Sequence, residues 1–98
     1  MKEYKNIERI KEAELLFDEA SSALEGYENA LERFLEAQKL FRRLEAYYGS
    51  GEWMEDFEAD EKGKLPTDMK RGVLSEDGLY DLLEDNGHYL EMLGINEE

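Results

Sequence analysis

The sequence has no cysteine, one proline, one histidine and one tryptophan. Without cysteine the chain has no disulfide, no thiol nucleophile and no thiolate zinc site, which fits a reducing compartment. No apolar run approaches the roughly 20 residues that a membrane-spanning helix needs, and the charged N-terminus does not resemble a signal peptide. We therefore expect a cytoplasmic protein with no membrane contact.

Basic residues are also scarce, with 12 Lys and Arg against 26 Asp and Glu, for a net charge of −14. Residues 1–48 account for −3 and residues 49–98 for −11. Because phosphate binding needs clustered Lys and Arg, we expect no direct binding to nucleic acid or to anionic lipid. The charge serves solubility, or it provides an acidic face for a basic protein partner.

An apolar repeat of seven residues runs from Ile7 to Tyr48 and predicts one amphipathic helix, because residues three, four and seven apart share a helix face. At 1.5 Å per residue, a helix of about 45 residues is roughly 65 Å long. The alternative is a helical hairpin that turns at residues 21–26, where Ser22 and Glu25 have the spacing of a capping box. The apolar positions form three rows: Ile10, Phe17, Leu24 and Leu31; Ala13, Ala20, Tyr27, Phe34, Phe41 and Tyr48; and Leu16, Ala23, Ala30, Ala37 and Leu44.

Three apolar rows are broader than the two-row seam of a simple coiled coil, so one neighbouring helix cannot cover them. Cover must come from the C-terminal segment, from a second copy, or from both. We therefore expect a homo-oligomer, with a homodimer as its simplest form.

The second half of the chain reads as short helical turns followed by one more helix. The Gly49-Ser50-Gly51 stretch ends the first helix, and Gly49 is the expected left-handed residue. Ser75 is the expected N-cap of the last helix, whose inner face reads Leu79, Leu82, Leu83, Asn86, Leu90 and Leu93. The predicted fold is a single all-α domain over residues 1–98. It has a long N-terminal helix, an irregular middle with short helical turns, and a C-terminal helix packed back on the first.

Two stretches resemble a known family. These are LEAYYGSGEW (44–53) followed by DFEADE (56–61), and LP (65–66) leading into KRGVLSEDG (70–78). They resemble a family of small acidic helical bacterial proteins, mostly from Gram-positive species, catalogued only as a domain of unknown function. The match is specific over residues 44–85, whereas the N-terminal helix agrees only in general type. The resemblance implies a small helical bacterial protein and carries over no catalytic or binding residue.

No motif for catalysis, cofactor binding or metal binding emerges. The acidic run of residues 52–61 does not have EF-hand spacing, since Glu61 stands where that loop needs glycine, so a solvated acidic face is expected. His88 is the only histidine and is expected to be exposed at the weak end of the last helix, without an orienting partner. We therefore expect no catalytic residue, no cofactor and no bound metal.

Two sets of residues are candidates for other roles. Tyr48 and Trp53 flank the predicted turn and could form an exposed anchor for a protein partner, because aromatic residues dominate protein interfaces. Arg71 is predicted to pair with Asp56 or Asp60 and so to fix the irregular middle of the chain.

The composition and pattern favour a non-catalytic protein–protein interaction module that associates with itself and with an unidentified, basic protein partner. Two alternatives come from other classes. An acidic chain can imitate nucleic acid and inhibit a basic nucleic-acid-binding protein. A small hydrolase is the other, and it requires a pocket lined by His88 and carboxylates.

Overall fold

The computed structural model describes residues 4–95. Over this range the chain is all-α, with helices α1 (Ile7–Glu36), α2 (Gln38–Gly49), α3 (Glu52–Glu61) and α4 (Gly78–Met92) and a short 3-10 turn at Gly72–Leu74. The described residues contain no β-strand. The chain divides into two compact units, Met1–Ala37 and Gln38–Glu98.

Helix α1 lies in the first unit and passes through residues 21–26 without a break. The hairpin alternative is therefore wrong, and the continuous seven-residue repeat was the correct guide. The predicted long helix of about 45 residues is confirmed in helices α1 and α2, which are separated only by a one-residue turn at Ala37. Ala37 keeps right-handed helical angles (φ −69°, ψ −12°), and its N–H donates to the Arg33 carbonyl at 3.0 Å. Since neither glycine nor proline stands there, the sequence carries no local signal for this interruption.

The second unit has a small core formed by Trp53, Leu74 and Leu79. Within this unit α3 and α4 both pack on α2, and the 3-10 turn packs on α3 and α4. The C-terminal helix is thus folded back on the last part of the N-terminal helical segment, as predicted. Partly buried side chains complete the core: Leu44, Tyr47, Tyr48, Phe57, Leu65 and Leu83.

Turns in the second unit follow glycine and serine chemistry, with two changes from expectation. Gly51, rather than Gly49, adopts the left-handed conformation (φ 88°), and α2 continues through Gly49. Asp77, and not the predicted Ser75, stands at the N-cap of α4, but the Ser75 Oγ accepts a hydrogen bond from the Gly78 N–H at 3.0 Å and so caps the first N–H of the helix. Leu74 and Leu79 flank this cap and are both buried, which fixes the direction in which the chain enters α4.

Candidate interaction surface

The irregular middle of the chain is held by two side-chain contacts to carboxylates. Arg71 Nη1 donates to Asp60 Oδ1 at 2.7 Å, so Asp60 is the one of the two predicted carboxylates that Arg71 contacts. Asp56 instead accepts a hydrogen bond from the Tyr47 hydroxyl at 2.6 Å. This hydrogen bond, together with partial burial and the charges of Asp56 and Glu52, raises the pKa of Tyr47 to about 12.

Trp53 is buried at 6% exposure, and this corrects its prediction as an exposed anchor. Its ring stacks on Phe57 at 5.2 Å between centroids and meets Tyr48 edge-on at 5.0 Å. Its Nε1–H donates to the Val73 carbonyl at 2.9 Å, so the polar end of the indole is satisfied as well. Trp53 therefore organises the core of the second unit, and Tyr48 is half-buried beside it. Neither side chain stands out from the surface as an anchor.

A buried amide pair joins α2 to α4, and sequence reasoning found only one of its members. Gln38 Nε2 donates to Asn86 Oδ1, and Asn86 Nδ2 donates to Gln38 Oε1, both at 2.9 Å. Asn86 lies on the predicted inner face of α4, where a polar residue among leucines signals a buried partner. Gln38 carries a similar signal, because it falls seven residues after Leu31 and so on the line of the first apolar row, but nothing local in the sequence pairs it with Asn86.

The apolar face of α1 is the largest exposed apolar feature of the first unit. No residue of α1 is buried, and every residue from Ile7 to Ala30 is exposed. We call this face the α1 stripe and define it by Ile10, Ala13, Leu16, Phe17, Ala20, Ala23, Leu24, Tyr27 and Ala30. Its large members are substantially exposed: Ile10 47%, Leu16 62%, Phe17 67%, Leu24 59% and Tyr27 53%. Farther along α1, Leu31 and Phe34 are half-buried.

The α1 stripe differs from the scattered apolar residues that all protein surfaces carry, because its members repeat at helical spacing over about three heptads. Leu15 shows the contrast, since it is 68% exposed but lies on the opposite side of the same helix. The sequence predicted the stripe as a face that must be covered. The residues that form it are exposed in the structure.

The catalytic candidates do not converge on a site. His88 is exposed, and its ring lies edge-on to Tyr89 at 5.6 Å between centroids. Among residues 4–95, no group of three or more His, Cys, Asp or Glu side chains is arranged to hold a metal ion. The apolar depression on α2, lined by Leu40, Arg43, Leu44 and Tyr47, contains neither a carboxylate nor a histidine.

No described helix is both long enough and apolar enough to cross a membrane. Neither the curated proteins nor the solved structures include a significant match to this chain. A family model described as a domain of unknown function (DUF4298) matches residues 10–95, which include most of α1 and the whole described part of the second unit. The chain therefore belongs to the DUF4298 family.

Proposed function

We propose that this protein is a non-catalytic protein–protein interaction module whose binding surface is the α1 stripe. The observation that carries the proposal is a 30-residue helix that buries none of its residues while keeping an apolar row at every seventh position. Each Å² of apolar surface that a partner removes from water contributes about 25 cal/mol to the free energy of binding. A partner that covers the stripe gains this free energy.

The charge of the chain narrows the chemistry of that partner. With a net charge of −14, the protein repels nucleic acid and anionic lipid surfaces at long range. The partner surface that fits is an apolar helix or groove, and basic residues at one end of it would meet the acidic positions beside the stripe. Proteins with such rims associate faster with an acidic surface.

The test compares the tagged full-length chain with Phe17→Glu, and uses Leu15→Glu as the matched control. The two residues are on one helix and almost equally exposed, at 67% and 68%, but only Phe17 belongs to the stripe. Affinity capture from the native cell with quantitative mass spectrometry should show proteins that Phe17→Glu loses and Leu15→Glu retains. Identical captured sets for the two variants would contradict the proposal.

The same experiment addresses imitation of nucleic acid, which the charge of −11 over residues 49–98 supports as a second candidate function. That function depends on the acidic second half of the chain and not on the α1 stripe. A captured set rich in basic nucleic-acid-binding proteins, and unchanged by Phe17→Glu, would favour it over the stripe.

A further inference from the structure

We propose that the occupant of the α1 stripe is a second copy of this chain, bound antiparallel through α1. The proposal rests on the interaction function above and names its partner. It follows from the sizes of the side chains in the stripe, from the distribution of charge along α1 and from the area that the stripe offers.

Side-chain size favours the antiparallel direction. Along two rows of the stripe large and small residues alternate, in the order Ile10, Ala13, Phe17, Ala20, Leu24. In a parallel pair each layer joins identical positions, so Phe17 would meet Phe17 and Ala20 would meet Ala20, and crowded layers would alternate with voids. In an antiparallel pair each layer joins one row to the other. Phe17 and Leu24 can then each fill the space beside an alanine, as close packing requires, while Ile10 meets Tyr27, where the alternation ends.

The alternation also selects a register. Pairing Phe17 with Ala20 of the second copy brings Ala13 opposite Leu24, and two-fold symmetry repeats both layers. Ile10 and Tyr27 then form the outermost layer at each end. The third row follows the same rule, because Leu16 comes to lie near Ala23 of the second copy. The overlap covers residues 10–27, a length of roughly 27 Å at 1.5 Å per residue.

The distribution of charge along α1 also favours the antiparallel arrangement. Residues 5–11 contain three basic side chains (Lys5, Arg9, Lys11) and one acidic one, whereas residues 12–36 contain eight acidic side chains and one basic one. A parallel pair places the acidic segments side by side over all of residues 12–36, whereas the antiparallel register does so only over residues 12–25. The antiparallel register instead brings the basic beginning of each helix to the level of Glu28 and Glu32 of the other. At the edge of the seam, Glu14 comes opposite Ser21 and so avoids a like charge.

The α1 stripe is large enough for a specific interface. Its five large side chains are exposed by 47–67%, and a fully buried aromatic side chain covers about 150–250 Å². Their burial in both copies removes roughly 1,000 Å² from water, which is the minimum expected of a biological interface. The dimer should therefore be reversible, with a dissociation constant that is measurable by sedimentation.

Sedimentation equilibrium of the full-length chain tests whether a second copy occupies the α1 stripe. The parent and Leu15→Glu should move from monomer to dimer as concentration rises, and Phe17→Glu should remain monomeric. Trp53 fluorescence confirms that the second unit is folded in each variant. A parent chain that stays monomeric at every concentration would overturn the proposal that a second copy occupies the α1 stripe. The interaction function would still stand if Phe17→Glu lost captured partners that Leu15→Glu kept.

Disulfide trapping tests whether the two α1 helices run antiparallel. Because the parent has no cysteine, only the introduced cysteines can form a cross-link. An Ala13→Cys chain and a Leu24→Cys chain, mixed and oxidised, should form a covalent heterodimer. Ala13→Cys alone should not trap itself, since the two Ala13 positions would be about 16 Å apart along the axis, too far for a disulfide. Trapping of Ala13→Cys with itself, without the heterodimer, would show a parallel pair and overturn the antiparallel proposal.

Discussion

The hydrogen-bonded pair of Gln38 and Asn86 allows a sharp test of how the second unit is held together. Both side chains are buried, at 8% and 3% exposure, and each amide donates to the other at 2.9 Å. Replacing one amide by an apolar side chain of similar shape removes both hydrogen bonds and leaves the other amide in an apolar environment. Replacing both removes that penalty.

We expect Asn86→Leu and Gln38→Met each to lower the free energy of unfolding by about 2 kcal/mol, because a buried amide then loses both hydrogen bonds of the pair. For a unit of this size that loss shifts Tm by about 10 °C. The double variant should lose less than either single variant, since two apolar side chains pack together without an unmet hydrogen-bond requirement. The expected coupling between the two positions is therefore about 2–3 kcal/mol.

Urea unfolding followed by Trp53 fluorescence is the appropriate assay, because the only tryptophan is buried in the unit that contains both amides. The midpoint should change among the four proteins while the slope stays constant. If the double variant loses the sum of the two single losses, the coupling is zero. Side-chain packing, and not hydrogen bonding, would then explain the role of these positions.

Three further predictions concern the same unit. Arg71→Ala should lower its stability by about 1 kcal/mol because the contact with Asp60 is only partly shielded (side chains 38% and 22% exposed), and an unchanged urea midpoint would refute this role. Tyr47→Phe should cost about 1 kcal/mol near neutral pH through the lost hydrogen bond. The raised pKa of Tyr47 means that this advantage of the parent is full below pH 10 and lost as pH rises toward 12, so unfolding curves across that range should converge. Gly78→Ala should destabilise by about 1 kcal/mol because a Cβ there would collide with the capping serine hydroxyl, whereas Gly87→Ala, with open space around it, should stabilise by up to about 1 kcal/mol.

The helical architecture was predictable because the seven-residue repeat is a local property of the sequence. The phase of the repeat continues through Gly26 without a shift, and this argues against a turn there. The capping-box spacing of Ser22 and Glu25, which favours a turn, is the weaker of the two signals. The interruption at Ala37 was not predictable, since alanine is the best helix former and no neighbouring residue breaks a helix.

The contacts between elements were less predictable than the elements themselves. The position of Trp53 beside the predicted turn does not distinguish an exposed anchor from a core residue. That distinction depends on Val73, 20 residues away, which accepts the indole hydrogen bond. The pairing of Gln38 with Asn86 spans 48 residues and has the same character. Leu82 and Leu93, both predicted on the inner face of α4, are 46% and 39% exposed, whereas Leu79, Asn86 and Leu90 are buried.

The two units differ in whether they bury their own apolar side chains. The second buries its apolar side chains internally around Trp53, whereas α1 buries none of its own. Helices in proteins gain most of their stability from packing an apolar face, and α1 gains little in this way because its residues from Ile7 to Ala30 are exposed. A partner that binds only the helical form of α1 stabilises that helix by mass action. Helix formation in α1 and binding of the partner to the α1 stripe are then coupled. It follows that Phe17→Glu should reduce the helical content of α1 as well as its association. Leu15→Glu, on the uncovered side of the same helix, should change neither.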